Sequence, residues 1–303
     1  MMDYEKFKES LIDGIKDFYG DGVEIVFDRV LKNNGQYYDG LRIAYKDSEK
    51  VIPVIYIDEM YIKYLRRELS MKKCVLKVCK LREDNECTEE LQAFAKQLIR
   101  WEAVKDIVYP VLISLEQNQE LLQRLVYTQV LDLAVIYVMR IKLPDMGCGT
   151  IKISRELLDA YGIDKEQLHE TSMLNLKKDG YEFHAMNSIM EKWCCLESKK
   201  HDEMWDEIEK NEIYVLTNPD VAFGAAGILN KELVKEFAQE RDFYIIPSSL
   251  HETLFVRANS WIDPKELDKM IVEINELVLN KQDVLADHCY YYDGKADEIR
   301  MRV

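Results

Sequence analysis

The residue types best suited to catalysis lie close together in one short connection, residues 247–252, which reads Pro-Ser-Ser-Leu-His-Glu. In nucleophilic hydrolases an imidazole activates a serine hydroxyl, and a carboxylate orients that imidazole. The candidate catalytic residues of this loop are Ser248, Ser249, His251 and Glu252. Folding would have to bring Asn218 or Asp287 to them as a further partner. One interpretation of the sequence is therefore a hydrolase.

The spacing of these residues favours a structural role instead. Members of a catalytic triad usually come from separate segments, and the loop lacks the Gly-x-Ser-x-Gly turn that exposes a nucleophilic serine. Serine side chains in turns commonly hydrogen-bond to nearby backbone groups. We therefore expect the two serines to satisfy turn amides, while His251 and Glu252 begin the next strand.

Histidines followed by glutamate suggest zinc, but the zinc pattern is incomplete. A His-Glu-x-x-His helix needs its second histidine four positions after the first. After His251 that position holds Phe255, and after His169 it holds Met173. The sequence predicts no metal site, and it predicts no cofactor.

Asn218 and Gly224 are candidate ligand-binding residues. Gly224 opens a Gly-Ala-Ala-Gly segment between a predicted strand and a predicted helix. Free backbone amides at such a place bind phosphate in other proteins. The segment matches neither Gly-x-Gly-x-x-Gly nor the Walker A motif. Close packing of small residues is the simpler explanation of Gly224, and a turn with helix capping explains Asn218.

Tyr292 is the third candidate ligand-binding residue, at the end of a run of three tyrosines. Because side chains alternate across a strand, Tyr290 and Tyr292 share one face and Tyr291 takes the other. We expect one face to pack and the other to be partly exposed. An aromatic surface for a ligand or partner is the alternative, since aromatic residues are enriched at interfaces.

Composition and charge exclude several classes of protein. The 303 residues are 48% hydrophobic, with 12 glycines and 6 prolines, which excludes low-complexity and disordered chains. The net charge of −15 argues against direct nucleic-acid binding, because phosphate contacts supply most of that affinity. An acidic decoy for a nucleic-acid-binding protein is a further possibility, and a solvated acidic surface is the commoner meaning.

The cysteines and the apolar stretches predict a cytoplasmic location. Seven cysteines, without the spacing of a disulfide framework, indicate reduced thiols. The first residues carry acid and no apolar core, so we expect no secretory signal. The most apolar stretch, residues 130–141, is too short to span a bilayer and contains Asp132. We expect no membrane association.

The first third of the chain predicts a helix, a meander and more helices. Apolar spacings of three and four indicate an amphipathic helix over residues 4–18. Strands are predicted at 23–27, 38–45 and 51–57, joined first by the hairpin turn Asn33-Asn34-Gly35. Pro53 donates no amide hydrogen, which predicts an edge position for the third strand. Helices follow over residues 58–105, with a polar break at 82–86.

The remaining chain predicts mixed strands and helices. The predicted strands are 107–113, 131–141, 213–216, 243–246 and 253–256. Residues 145–149 predict a turn, and Asp164 with Gln167 predicts a capping box. Asp263-Pro264 predicts a helix start, followed by an apolar stripe that we expect to be buried. That stripe comprises Leu267, Met270, Ile271, Ile274, Leu277 and Val278. Residues 289–303 predict a terminal hairpin.

Several of these segments also carry a resemblance. They read Tyr-Val-Leu-Thr-Asn at 214–218, Gly-Ala-Ala-Gly-Ile-Leu at 224–229, the loop 247–252, and Asp-His-Cys-Tyr-Tyr-Tyr-Asp at 287–293, with 131–135 and the Ile-Pro-Val at 52–54. In this order they resemble an uncharacterised bacterial family, a domain of unknown function best known from anaerobic gut bacteria. The chain is also distantly similar to the YtpQ-like uncharacterised proteins. Neither resemblance implies an activity, a cofactor or catalytic residues.

Together these patterns predict an α+β fold: an N-terminal helix plus antiparallel meander and helices, then a C-terminal mixed α/β portion ending in a β-hairpin. The predicted division is 1–105 and 106–303, with a single domain as the alternative. The predicted function is a non-catalytic cytoplasmic binding or regulatory protein that recognises another protein or a small ligand. The alternative is a hydrolase that uses the serine, histidine and glutamate of loop 247–252.

Overall fold

The computed structural model describes residues 2–46, 52–85, 89–143, 147–186, 188, 212–247, 249–258 and 263–302. They form an α+β protein, which confirms the predicted fold class. Within these ranges the strands form three sheets, and every strand pair is antiparallel. The chain divides into two compact units, Met1–Lys32 with Gln36–Ile99 and Asn33–Gly35 with Arg100–Val303. The division at residue 105 stays a prediction, because compactness alone does not show independent folding.

The helices of the described residues are α1 (Tyr4–Tyr19), α2 (Asp58–Leu65), α3 (Met71–Asp84), α4 (Glu89–Gln97), α5 (Trp101–Val104), α6 (Gln119–Leu122), α7 (Arg155–Tyr161), α8 (Lys165–Lys178), α9 (Lys231–Ala238) and α10 (Pro264–Leu277). The strands are β1 (Val23–Leu31), β2 (Tyr37–Tyr45), β3 (Ile55–Tyr56), β4 (Val108–Ser114), β5 (Tyr127–Val130), β6 (Leu133–Leu143), β7 (Gly147–Lys152), β8 (Glu182–Ala185), β9 (Ile213–Thr217), β10 (Phe243–Ile246), β11 (Thr253–Arg257), β12 (Tyr290–Asp293) and β13 (Glu298–Met301). A 3-10 helix at Gly224–Leu229 precedes α9.

The first unit packs α1 and α3 together beside the sheet β1-β2-β3. Phe7, Leu11 and Ile15 lie on one face of α1 and are fully buried, as their helical spacing predicts. A Cβ at Gly14 would lie 2.5 Å from Cγ2 of Val75, so the small residue lets α3 approach closely. The order of the strands confirms the meander, with β3 at the edge of the sheet.

The second unit contains two sheets. In the smaller one β6 pairs with β4 along one edge and with β5 and β7 along the other. The larger one has the order β13-β12-β10-β11-β9-β8, and β12 with β13 forms the predicted terminal hairpin. Asp164 accepts a hydrogen bond from the Gln167 amide and so caps α8, as predicted. Asn175 then joins α8 to the start of β4 by donating to the carbonyls of Lys105 and Val108.

Two local predictions were wrong. The predicted turn at 145–149 was wrong for Gly147–Gly149, which belong to β7, because β6 offers them a hydrogen-bonding edge that outweighs their turn propensity. The predicted polar break at 82–86 was wrong at its start, since α3 continues to Asp84. Arg82 is buried there, with its guanidinium 4.3 Å from the ring centroid of Tyr45. This cation–π contact makes a charged residue suitable for the inner face of α3.

Helix α10 exposes apolar side chains that its spacing predicts to be buried. Ile271 is buried, but Met270, Ile274 and Leu277 are exposed, the last to 84%. Periodicity identifies the helix correctly but does not show how wide a stripe the neighbouring sheet covers. None of the helices in the described ranges is both long and apolar enough to cross a membrane.

Candidate functional site

Ser249 uses its hydroxyl within loop 247–252. The side chain is buried, and Oγ accepts a hydrogen bond of 3.0 Å from the backbone amide of His251. The Ser249 amide in turn donates to the carbonyl of Glu252 at 3.4 Å. The hydroxyl therefore stabilises the turn between β10 and β11, in the manner of a serine turn. Ser248, the other candidate nucleophile, lies outside the described residues.

The imidazole of His251 contacts two other groups. Its Nδ1 accepts a hydrogen bond of 3.3 Å from the amide of Phe223, which assigns the proton to Nε2. Nε2 lies 3.7 Å from Oδ1 of Asp283. A general base needs a free lone pair directed at the group that it deprotonates. In this arrangement the lone pair of His251 is already engaged by Phe223.

The candidates Asp287 and Tyr292 are each paired with a side chain other than His251. Asp287 Oδ1 is 2.9 Å from Nδ1 of His288, so it is paired with a different imidazole. Tyr292 is buried, and its hydroxyl donates to Oδ1 of Asp297 at 2.7 Å. Tyr290 is buried on the same face and Tyr291 is half-buried, which confirms the predicted alternation of the tyrosine run. The pKa of Tyr292 is raised by burial and then by Asp297.

Gly224 makes a close backbone approach to loop 247–252. A Cβ at this position would lie 2.2 Å from the carbonyl oxygen of His251 and 2.7 Å from Oγ1 of Thr217. Thr217 donates to that same carbonyl at 3.2 Å. The amide of Ala225 donates to the carbonyl of Leu250 at 3.2 Å, so it is not free for a phosphate. Gly224 therefore allows its own segment to pack closely against loop 247–252, which is the role predicted from the run of small residues.

Asn218 spans the loop that follows β9. Its Oδ1 accepts from the amide of Ala222 at 3.1 Å, and its Nδ2 donates to the carbonyl of the same residue at 2.9 Å. Nδ2 also lies 3.2 Å from Oδ2 of Asp179, at the end of α8. Val221 and Phe223, in the same loop, have positive φ values of 48° and 56°. Such backbone is strained for residues with a Cβ, above all for a β-branched valine.

Asp179 connects this loop to a buried arginine. Nη1 of Arg140, in β6, donates to Oδ2 of Asp179 at 2.5 Å, and both side chains are largely buried. The guanidinium lies 4.2 Å from the ring centroid of Tyr109. Nε and Nη2 of Arg140 are buried and have no hydrogen-bond partner among the described residues. Two of the three donor nitrogens of this arginine are therefore unused.

The hydroxyl of Tyr181 adds a third unused donor. It is buried beside the Arg140 guanidinium and the Asn218 side chain, and it forms no hydrogen bond of normal geometry within the described ranges. Burial raises the pKa of Tyr181 to about 12, and the nearby charge of Arg140 opposes the rise. The phenol is thus protonated at neutral pH and can donate. We call Arg140, Asp179, Asn218, Tyr181 and Tyr109 the Arg140 cluster.

Sequence reasoning identified only one member of this cluster, Asn218. Arg140 gave a usable signal, because it is a charged residue within the apolar strand Leu133–Leu143. A charge in a buried strand needs a partner, and such partners often mark a site. Asp179 and Tyr181 gave no comparable signal, since an acidic residue and a tyrosine just after a helix are ordinary in any sequence. No group of metal-ligating side chains suitable for an ion occurs among the described residues.

Ser249→Ala should lower the free energy of unfolding by about 1 kcal/mol, because the partly buried amide of His251 loses its acceptor. Urea denaturation followed by circular dichroism measures the loss. Ser10→Ala is a suitable control, since that hydroxyl contacts the sulfur of Met2 and should change stability by less than about 0.5 kcal/mol. Unchanged stability of Ser249→Ala would contradict a turn role for the hydroxyl.

Cys289 should be inert in the folded protein. Burial, followed by Asp268, raises the pKa of the Cys289 thiol to about 12. At pH 8 only roughly one molecule in ten thousand would carry a thiolate, and thiolate is the reactive form. Cys74 and Cys79 are also buried free thiols with raised pKa values caused by burial. Iodoacetamide labelling at pH 8, read by peptide mass spectrometry, should modify these three cysteines only after denaturation. Rapid labelling of Cys289 in the native protein would overturn the prediction.

Comparison with curated proteins and comparison with solved structures each found no match. A model of one protein family does match, over residues 4–294, which is nearly the whole chain. The match covers most of both compact units and every member of the Arg140 cluster. This chain belongs to the family of unknown function DUF5688.

Proposed function

We propose that this member of DUF5688 is a non-catalytic binding protein of the bacterial cytoplasm, with a small ligand as its target. The proposal rests on one observation: two side chains of catalytic type in loop 247–252 are hydrogen-bonded to backbone amides. The Ser249 hydroxyl accepts from the His251 amide, and the His251 lone pair accepts from Phe223. These contacts support a role in holding the loops rather than in bond breaking.

The cytoplasmic and bacterial parts of the proposal have their own support. Cys74, Cys79 and Cys289 are free thiols, as expected in a reducing compartment. The segments that resemble a bacterial family favour a bacterial source, and the fainter likeness to the YtpQ-like proteins points the same way. We take the net charge of −15 as the mark of a solvated surface.

The Arg140 cluster is the binding site that this proposal favours. It combines a buried charge, an aromatic ring and unused donors, and it contains neither a serine nor a cysteine that would serve as nucleophile. Ligand sites typically combine apolar walls with a few polar groups that fix orientation. The strained loop of Asn218 lies directly beside this cluster.

A hydrolase centred on loop 247–252 is the second candidate function. It is favoured by the partial exposure of His251 and by the carboxylate of Asp283 beside its Nε2. Ser248 would be its nucleophile, since Ser249 is engaged with the turn. This candidate requires His251 to release Phe223 and turn its lone pair toward a hydroxyl.

Turnover assays separate the two candidates. Wild-type protein and His251→Ala would be compared on chromogenic esters, amides and phosphate esters, with the exposed His184→Ala as matched control. The binding proposal expects equal background rates for all three proteins. Hydrolysis by the wild type that falls at least about 100-fold in His251→Ala, but not in His184→Ala, would establish the hydrolase instead.

A further inference from the structure

We propose that the Arg140 cluster binds a small oxyanion, a carboxylate or phosphate group with two oxygens directed at the free edge of the guanidinium. The inference rests on the proposed function and names the chemistry of its ligand. Nε and Nη2 lie on one edge of a guanidinium, in the geometry that binds two oxygens side by side. Both atoms are buried and without a partner among the described residues.

The other groups of the cluster match an acceptor-rich ligand. The Tyr181 hydroxyl is a third buried donor that forms no hydrogen bond of normal geometry in the described part of the chain. Burial raises the pKa of its phenol, and the nearby charge of Arg140 opposes that rise. Oδ2 of Asp179 already accepts from both Arg140 and Asn218, so the cluster offers more donors than acceptors. A ligand made up of donors would leave all three of these groups unsatisfied. Only a group rich in acceptors satisfies all three unused donors.

Asp179 holds the arginine in place for this ligand. The ion pair fixes Nη1, and the ring of Tyr109 supports the face of the guanidinium at 4.2 Å. The free edge is therefore preorganised, which lowers the entropic cost of binding. Because Asp179 balances the charge of Arg140, we expect modest affinity for simple anions and tighter binding of a ligand that adds contacts of its own.

The loop 218–223 is the segment that would move to admit the anion. Asn218 ties it to Asp179, and its residues Val221 and Phe223 hold positive φ values. Strained loops of this kind often have a second accessible conformation. Val221 is 60% exposed, so the outer side of the loop is open to solvent. Opening would break the contact of Asn218 with Asp179 and give solvent a path to the cluster.

The test titrates the full-length protein with sodium acetate, sodium phosphate and sodium chloride at matched ionic strength. Acetate or phosphate should raise the melting temperature by about 2 °C or more beyond chloride, since a ligand that binds the folded state stabilises it. Whichever of acetate and phosphate gives the larger rise in melting temperature identifies the ligand as a carboxylate or a phosphate. Equal effects of all three salts would overturn the inference and leave the donors to ordered water.

Tyr181→Phe locates the effect. This variant keeps the Arg140–Asp179 pair and removes only a buried hydroxyl that forms no hydrogen bond of normal geometry within the described ranges, so it should remain folded. The dissociation constant of this variant for the preferred anion, measured by calorimetry, should be about tenfold higher than that of the wild type. Tyr161→Phe, a buried tyrosine of α7 whose hydroxyl contacts Met139, should bind as tightly as the wild type. Anion stabilisation that Tyr181→Phe leaves unchanged would place the site elsewhere and overturn the inference.

The outcomes also separate this inference from the proposed function. A hydrolase activity that depends on His251 would refute the binding proposal, whatever the anion titration shows. If the protein shows neither such activity nor a response to anions, the binding proposal stands and the oxyanion inference is refuted.

Discussion

Asp179→Asn is expected to lower the free energy of unfolding by about 3–5 kcal/mol. The substitution keeps the shape of the side chain but removes the charge that balances Arg140, and both groups are largely buried. Breaking a buried ion pair by neutralising one partner leaves the other charge desolvated and uncompensated. Asn218 also loses a charged acceptor in the same step. Urea denaturation followed by far-ultraviolet circular dichroism measures the change.

Glu232→Gln provides the matched control for that experiment. Glu232 pairs with Lys177 at 2.8 Å, but both side chains are substantially exposed. Exposed ion pairs contribute about 0–1 kcal/mol, so this variant should resemble the wild type. A loss of less than about 1 kcal/mol for Asp179→Asn would mean that water reaches Arg140 freely. The buried character of the Arg140 cluster would then be wrong.

Gly224→Ala is expected to cost about 3 kcal/mol or more. The new methyl group would lie 2.2 Å from the His251 carbonyl oxygen, which belongs to the backbone and cannot rotate away. Relief requires one of the two loops to shift, and the Thr217 hydrogen bond to that carbonyl would be lost. Chemical denaturation of the variant, compared with wild type, measures the effect.

Gly22→Ala is the corresponding control, because a Cβ there meets nothing within 4 Å. It should alter stability by no more than about 0.5 kcal/mol. If Gly224→Ala were instead as stable as the wild type and weakened a phosphate ligand, the glycine would serve ligand binding. That result would restore the phosphate-loop interpretation of residues 224–227.

The local elements of this fold follow from the sequence because their causes are local. The face of Phe7, Leu11 and Ile15 predicts α1, and Asp164 with Gln167 predicts the cap of α8. Alternation in the tyrosine run likewise predicts the buried positions of β12. Each of these depends on periodicity or on a hydrogen bond across a few residues.

The Arg140 cluster could not be predicted in the same way. Asp179 lies 39 residues after Arg140, and Asn218 lies 39 residues after Asp179. Their contact depends on how the end of α8 meets β6 and β9, which no short-range pattern encodes. Misjudged local structure has the same origin: β6 offers an edge that turns Gly147–Gly149 into a strand. Tertiary contacts outweigh propensity in both cases.

Loop 247–252 shows what residue types alone can indicate. Serine, histidine and glutamate within six positions suggested hydrolysis, while their spacing favoured a turn. Distances decide what Ser249 does, because its oxygen meets the His251 amide rather than the imidazole. Among the described residues the carboxylate that pairs with His251 is that of Asp283, whose Oδ1 lies 3.7 Å from Nε2.

The most direct measurement is labelling of the native protein with a fluorophosphonate probe, read by peptide mass spectrometry across loop 247–252. We expect no modification of either serine above the level seen after His251→Ala, because the imidazole already accepts a hydrogen bond from the Phe223 amide. Stoichiometric labelling of Ser248 or Ser249 that disappears in His251→Ala would contradict it.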